Sequence, residues 1–263
     1  MLPLSHPHWF TRASGVKYRR WLRTCASLAD GFLCVSPVVA EQLDDLLRVR
    51  YGLTQPPRIS TISLGSTITP DDLHPDLAAL PLISGLTRET FTRAALVVGT
   101  LEPRKGHDGL LDAFDLCWKK GEDIPLVLIG RPGWGTARLQ RRLRRHPARG
   151  TLLFWLDGVE DAALLAAYDA CRMVIVPSLA EGYGLPLDEA LAMGAPVLAR
   201  DIPVFRRHED AALAYFPEHA RAQELADTIL RFRADVHRPE TGRQLPDWSR
   251  TSRECLEAIG CAR

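Results

Sequence analysis

The residues of this chain best suited to chemistry fall in two glycine-containing stretches. The first is Glu181-Gly-Tyr-Gly-Leu-Pro-Leu-Asp-Glu189, which follows the apolar run Met173–Val176. Pro186 predicts a helix start there, because proline is tolerated at the first helical position. A helix start offers free backbone N–H groups and the positive end of the helix dipole, which together suit a diphosphate. Gly182 and Gly184 let the backbone approach a ligand closely. Glu181, just ahead of the helix, and Glu189, within its first turns, can face one ligand and accept hydrogen bonds from sugar or ribose hydroxyls. Taken singly, either glutamate reads as dipole complementation or a solvated loop carboxylate. The pair, framed by two glycines and Pro186, reads as a binding site. The second stretch is Gly99-Thr-Leu-Glu-Pro-Arg104-Lys105-Gly-His, directly after the run Ala95–Val98. Two adjacent cations in a glycine-flanked loop at a strand's carboxyl end can neutralise a leaving diphosphate. A solvated pair of loop charges is the plainer account; a place on the same sheet edge as Glu181 favours the diphosphate.

These stretches need a scaffold, and the chain predicts one. From about residue 95, short apolar runs alternate with helical patterns. The runs are Ala95–Val98, Leu126–Ile129, Leu152–Leu156, Met173–Val176, Pro196–Ala199 and Leu213–Phe216. Each is nearly continuous in hydrophobicity, as strands buried on both faces are. Between them Leu110, Phe114 and Cys117, widened by Leu111 and Trp118, recur at helix spacing, as do Leu164, Tyr168 and Cys171. Strand and helix repeated this way predict an α/β fold, a doubly wound parallel sheet with helices on both faces. Ligands then sit at the carboxyl ends of the strands. Upstream, residues 12–30 predict a basic amphipathic helix, Phe32–Val35 a strand, Val38–Leu47 a helix and Ile59–Leu64 a strand. Residues 65–92, rich in Pro, Thr and Asp, read as a linker. Trp248–Ala262 predicts one more helix.

Composition excludes several classes. Apolar residues make up 46% and charged residues 25% of 263, ordinary for a soluble globular protein. Lysine plus arginine is 33 against 32 aspartate plus glutamate, so no global field points to nucleic acid. Cys25, Cys34, Cys117, Cys171, Cys255 and Cys261 are scattered without C-x-x-C spacing, which argues against a zinc site or disulfide framework and fits a reducing cytosol. No apolar run approaches the roughly 20 residues needed to span a bilayer. The opening Met-Leu-Pro-Leu-Ser-His-Pro does not read as a signal peptide. His6 and His8 have no carboxylate or cysteine neighbour and read as loop residues. Neither Gly130-Arg-Pro-Gly-Trp-Gly135 nor Gly182-Tyr-Gly184 fits the dinucleotide fingerprint, and no P-loop motif occurs. Arg138, Arg141, Arg142, Arg144, Arg145, His146 and Arg149 form a locally basic run with Leu139 and Leu143 as a narrow apolar stripe. A solvated helix face is the default for it, and attraction to anionic lipid head groups the sharper alternative.

Three stretches together resemble the glycosyltransferase family four (group 1) enzymes: Val97-Val-Gly-Thr-Leu-Glu-Pro-Arg-Lys-Gly, Ile129-Gly-Arg-Pro-Gly-Trp, and Val176-Pro-Ser-Leu-Ala-Glu-Gly-Tyr-Gly-Leu-Pro. Among these the chain looks most like bacterial mannosyltransferases of O-antigen and capsule assembly. The resemblance implies a GT-B fold, with two Rossmann-like domains, and metal-independent sugar transfer from a nucleotide donor with retention at the anomeric carbon. Carried over by position, it places Glu181 on the donor sugar, the Gly182, Tyr183, Gly184 and Leu185 backbone on sugar and diphosphate, and Glu189 on the ribose. Arg104 and Lys105 fall on the diphosphate, with Gly99 and Thr100 lining the donor. Many relatives carry arginine where Thr100 stands, so Arg104 would supply that second charge.

The expected organisation is a remnant of an acceptor-binding domain at 1–68, a linker at 69–92, a nucleotide-sugar domain at 93–232, and a tail with a returning helix at 233–263. The expected reaction is hexosyl transfer from GDP-mannose to a saccharide or lipid-linked acceptor, without cofactor or metal, in the cytoplasm or peripherally on the inner face of the cell membrane. A separate acceptor-domain chain is an expected partner. Two other readings stand beside it: a non-catalytic nucleotide-sugar-binding module or subunit, and a sugar-nucleotide epimerase of similar fold.

Overall fold

Helix starts in the N-terminal part are set by hydroxyl caps and proline. A single turn, α1 (Leu2–Ser5), precedes α2 (Arg12–Leu28), where the Thr11 side chain accepts from Ser14 N at 3.1 Å. Strand β1 (Gly31–Cys34) leads to α3 (Pro37–Asp45), capped by Ser36 accepting from Val39 N at 3.3 Å, with Pro37 at the first position. One π-helical turn (Leu46–Arg50) extends α3, and β2 (Arg58–Thr61) pairs parallel with β1, Phe32 opposite Ile59. β2 is shorter than the expected Ile59–Leu64. Beyond it the backbone donors of Ser63 and Leu64 go to the Glu254 carboxylate and the Tyr183 hydroxyl rather than to a neighbouring strand.

A computed structural model describes residues 1–66, 68, 75–208, 210–239 and 243–260, and the chain divides into two units. The second unit, Ile68–Leu179 with Leu185–Gln244, is built on six parallel strands. In chain order they and their helices are α4 (Arg88–Thr92), β3 (Ala95–Val98), α5 (His107–Lys119), β4 (Leu126–Ile129), α6 (Ala137–Arg145), β5 (Leu153–Leu156), α7 (Asp161–Ala170), β6 (Met173–Val176), α8 (Leu185–Ala192), β7 (Val197–Arg200), β8 (Leu213–Phe216) and α9 (Ala222–Asp235). The sheet order is β5-β4-β3-β6-β7-β8. The chain therefore builds outward from β3 in one direction, then returns to β3's other side at β6, which makes the β3/β6 boundary the topological switch point.

The continuous hydrophobicity of the strands is explained by cores on both faces. On β4, Leu126 and Leu128 face one core with Leu110 and Phe114 of α5, Leu139 and Leu143 of α6 and Ile229 of α9. Val127 and Ile129 face the other, with Ala166 and Tyr168 of α7 and Leu187 and Leu191 of α8. The α/β class and the doubly wound parallel sheet expected from the sequence are therefore present.

The partition differs from the expected one. Residues 75–92 do not behave as a linker: Leu80, Leu86 and Phe91 are buried, and they join the core that holds Tyr168. Apolar residues without period gave no sign of this. The stretch 69–74 of the expected linker lies outside the described residues. The expected tail is divided too. Arg238 stays with the second unit, its guanidinium donating to Met193 O and Tyr168 O at 2.9 and 2.8 Å. The helix α10 (Trp248–Ala258) joins the first unit, Met1–Thr67 with Ala180–Gly184 and Leu245–Arg263. There Glu254 accepts from both Ser63 N and Ser63 Oγ at 2.6 Å. Those bonds hold its carboxyl down at about 2. Among the described residues no helix is long and apolar enough to cross a membrane. Cys25, Cys34, Cys117, Cys171 and Cys255 are free thiols.

Candidate functional site

The loop after β3 and the segment after β6 leave the sheet at the switch point. The β3 loop is built around two glycines. Gly99 adopts φ 141°, and a Cβ placed there would lie 3.5 Å from both Cε and Nζ of Lys105, so the ammonium group lies over the Gly99 backbone. A single 3₁₀ turn, Pro103–Lys105, carries both cations. Arg104 Nε donates to Glu102 Oε2 at 2.8 Å, and Glu102 is buried, so the guanidinium is held by a short desolvated pair. Thr100 is exposed at the head of the loop.

The two loops are stitched to each other through backbone. Gly106 (φ 70°) is the residue before α5, and a Cβ on it would lie 2.2 Å from Pro177 O. Leu179 N donates to Arg104 O at 2.7 Å. Arg200, buried at the end of β7 among apolar side chains, donates from Nε to Pro177 O at 3.0 Å and from a guanidinium nitrogen to Glu218 O. Burial pushes its pKa down from the usual arginine value.

The second carboxylate of the frame, Glu189, lies in the second turn of α8, which starts at Leu185 with Pro186 next, as Pro186 predicted. Tyr168 Oη, at the fully buried end of α7, donates to Glu189 Oε2 at 2.9 Å. Burial raises the Glu189 carboxyl above the usual glutamate value; the Tyr168 hydroxyl and Lys105 oppose the shift, while neighbouring Asp188 adds to it. Asp188 is buried and paired with Arg207 Nη2 at 2.9 Å. Arg243 Nη1 donates to His208 Nδ1 at 2.9 Å, so the imidazole proton sits on Nε2, 3.1 Å from Asp188 Oδ1 but poorly aligned for a hydrogen bond. Burial and the two arginines hold that imidazole neutral, down to about 3. The first turn of α8 is thereby tied through the Asp188 carboxylate to Arg207.

The structure brings Gly99, Thr100, Arg104, Lys105, Leu185 and Glu189 into the second unit. Glu181, Gly182, Tyr183 and Gly184 belong to the first. In that unit Ser36 Oγ donates to Gly182 O at 2.7 Å, and the Tyr183 hydroxyl bonds both Leu64 N and Leu64 O at 3.3 Å. Sequence reasoning missed Ser36, Tyr168 and Asp188 as supports of the site. In the sequence Tyr168 shows only as part of a helix stripe, and Ser36 carries only a helix-cap signal. Nothing local points to partners 21 and 146 residues away. No cluster of three or more metal-ligating side chains occurs among the described residues.

His107, the first residue of α5, is buried, and its Nδ1 has no hydrogen-bond partner among the described residues. Burial, helped by Lys105, pushes its pKa down to about 4 from the ordinary 6.5. The unfolded chain therefore binds this proton at pH values where the folded chain does not, and stability falls as pH drops from about 6.5 toward 4. We expect the loss between pH 8 and pH 5 due to His107 to be about 2 kcal/mol. Urea titrations of the wild type and of His107→Gln at both pH values test this. An unchanged pH increment in the variant would show that His107 is not the group responsible.

The second unit thus places two adjacent cations and a helix-borne glutamate at the switch point of a doubly wound sheet. Residues 87–243 match the family described as Glycosyl transferases group 1, and the chain belongs to that family. It is 35% identical over 226 residues to the serotype-specific mannosyltransferase WbdA of Escherichia coli, covering 84% of this chain and 27% of that protein. With the O-antigen chain mannosyltransferase B of Escherichia coli it shares 38% identity over 109 residues, 41% of this chain and 28% of the relative. The chain thus spans about a quarter of the length of these relatives. The crystal structure of Anabaena Alr3699/HepE in complex with UDP and glucose superposes over 100% of this chain and 70% of its own, with TM-score 0.67 and 18% identity. TarM superposes over 82% of this chain and 39% of its own, with TM-score 0.59 and 19% identity. At that identity the likeness concerns the fold, which is of the GT-B type expected from the sequence.

Proposed function

We propose that this chain carries the donor-binding half of a retaining glycosyltransferase that moves mannose from GDP-mannose to a saccharide or lipid-linked acceptor in cell-surface polysaccharide assembly. The observation that carries the reading is the loop at the switch point, where Arg104 and Lys105 are held on one 3₁₀ turn. In this reading the two cations take up the charge that develops on the departing diphosphate, and no metal or other cofactor is needed for that task. Glu189, oriented by Tyr168, accepts from the ribose hydroxyls, and Glu181 from hydroxyls of the sugar. Thr100 and the backbone of Gly99, Gly182, Tyr183, Gly184 and Leu185 line the donor. The choice of mannose follows the named relatives, which are mannosyltransferases. The first unit holds only a two-stranded sheet and leaves Trp21, Leu28 and Val49 exposed, which supports an acceptor side completed by further polypeptide, in this chain's own protein or a separate one.

Calorimetric titration with GDP-mannose tests the donor site. Glu181→Gln and Glu189→Gln keep side-chain volume and remove charge. Each is expected to weaken binding about 10-fold or more, since a hydrogen bond to a charged group is worth about 1.5–3 kcal/mol, with little change in thermal stability for Glu181→Gln. Unchanged affinity in both variants would overturn the assignment. Product analysis by NMR with a panel of nucleotide sugars separates transfer from epimerisation, and binding without either product marks a non-catalytic module.

A further inference from the structure

The arginines of α6 carry an inference that does not depend on the donor site. Between Arg131 and Arg149 the chain has seven arginines and no aspartate or glutamate, although its net charge is only +1. On the helix, Leu139 and Leu143 point into the core and are 2% exposed. At 100° per residue, Arg138, Arg141, Arg144 and Arg145 fall within an arc of about 120° centred directly opposite those leucines. All four are exposed. The same stretch also holds Arg142, but that side chain is turned to α5, where Asp112 and Asp115 lie 2.6 and 2.7 Å from Nη2. Arg144 stacks on the Trp155 ring at 5.2 Å. Among the described residues none of Arg138, Arg141, Arg144 and Arg145 forms an ion pair. Elsewhere in the chain Arg48, Arg93, Arg206, Arg207, Arg233 and Arg250 each do.

Such an arrangement works against the helix. Like charges at i, i+3 and i, i+4 repel, and Arg138 stands in the first turn, where the helix dipole disfavours a cation, while Arg144 and Arg145 stand in the last turn, where it favours one. A helix that solves only a packing problem has no need of four uncompensated arginines on its outer face. A convex, purely cationic face with its apolar residues buried inward matches a plane of delocalised negative charge rather than a groove or an apolar pocket. Trp134, in the loop that leads into α6, is 45% exposed, and an aromatic of this kind suits the boundary between head groups and water.

We propose that the outer face of α6 is a docking surface for an anionic lipid membrane, held by charge without insertion of the helix. The test is co-sedimentation of the whole 263-residue chain with vesicles of phosphatidylcholine alone, or with about 30 mol% phosphatidylglycerol. Binding to the anionic vesicles alone is expected, lost between about 0.1 and about 1 M salt as charges are screened. Each neutralised arginine should lower the partition coefficient about 5-fold, and Arg138→Gln/Arg141→Gln/Arg145→Gln together roughly 100-fold. The lysine triple at the same positions should keep most of the binding. Equal melting curves and equal GDP binding would show that the variants are folded. The helix α2 is also basic and exposes Trp21, so Lys17→Gln/Arg19→Gln/Arg20→Gln is the competing variant. The proposal is overturned if the loss follows the α2 variant instead, if neutral vesicles bind equally, or if single-stranded RNA outcompetes the anionic vesicles for the α6 arginines.

Discussion

Replacing Arg104 and Lys105 together by alanine is expected to weaken binding of a nucleoside diphosphate by roughly 10²- to 10⁴-fold, while binding of the nucleoside changes little. Each charge-assisted hydrogen bond to phosphate is worth about 1.5–3 kcal/mol, and two are removed. Both side chains leave one 3₁₀ turn whose position is set by backbone contacts, chiefly Leu179 N to Arg104 O. Those contacts survive truncation to alanine, so the loss should be local to the charge. Arg104 has a second role that must be separated from the first. It neutralises Glu102, whose carboxylate is desolvated in the β3 loop. Removing the guanidinium alone leaves a buried unpaired charge and lowers stability. The variant Arg104→Ala/Glu102→Gln removes that liability and should recover the melting temperature without recovering diphosphate affinity. Calorimetry with GDP and guanosine decides the matter. Equal weakening for both ligands, or restored GDP affinity in the Glu102→Gln background, would remove Arg104 and Lys105 from the diphosphate site.

Gly106→Ala should be among the most damaging single-atom additions in the chain. The backbone there has φ 70°, which alone costs a non-glycine residue about 1–2 kcal/mol. The added methyl would also stand 2.2 Å from Pro177 O, a backbone atom held in place by Arg200 Nε. Neither side can give without separating the loop after β3 from the loop after β6. We expect destabilisation of about 3 kcal/mol or more, a fall in melting temperature of roughly 6–12 °C, together with weakened GDP binding. Gly121 provides the control. It has φ 86° and open space around it, so Gly121→Ala should show only the conformational cost of about 1–2 kcal/mol and normal GDP binding. Indistinguishable melting temperatures for the two variants would mean that the contact with Pro177 is not constraining.

Much of the second unit could be read from the chain alone, for a physical reason. Strands buried on both faces need apolar side chains at every position, so Ala95–Val98, Leu126–Ile129 and Met173–Val176 stand out as runs whatever their partners are. Helix stripes such as Leu110, Phe114 and Cys117 are equally local, because one helix face repeats within a turn. Residue types at strand ends, here Arg104, Lys105 and Glu189, announce themselves because the strand-then-glycine context is also local.

Tertiary structure decided what depends on distant partners. Leu80, Leu86 and Phe91 are core residues only because they pack into the core that holds Tyr168 of α7, and their spacing carries no period. Tyr168 orients Glu189 across 21 residues, and Arg207, His208 and Arg243 converge on Asp188 at the start of α8. Most consequential is the division of the Glu181–Glu189 frame. Its seven intervening residues read as one motif, yet Ala180–Gly184 is held in the first unit by Ser36 and Leu64, while Leu185 onward is held in the second by its helix packing. Hydrogen bonds and buried contacts over more than a hundred residues set that division, and no pattern of spacing along a chain encodes them.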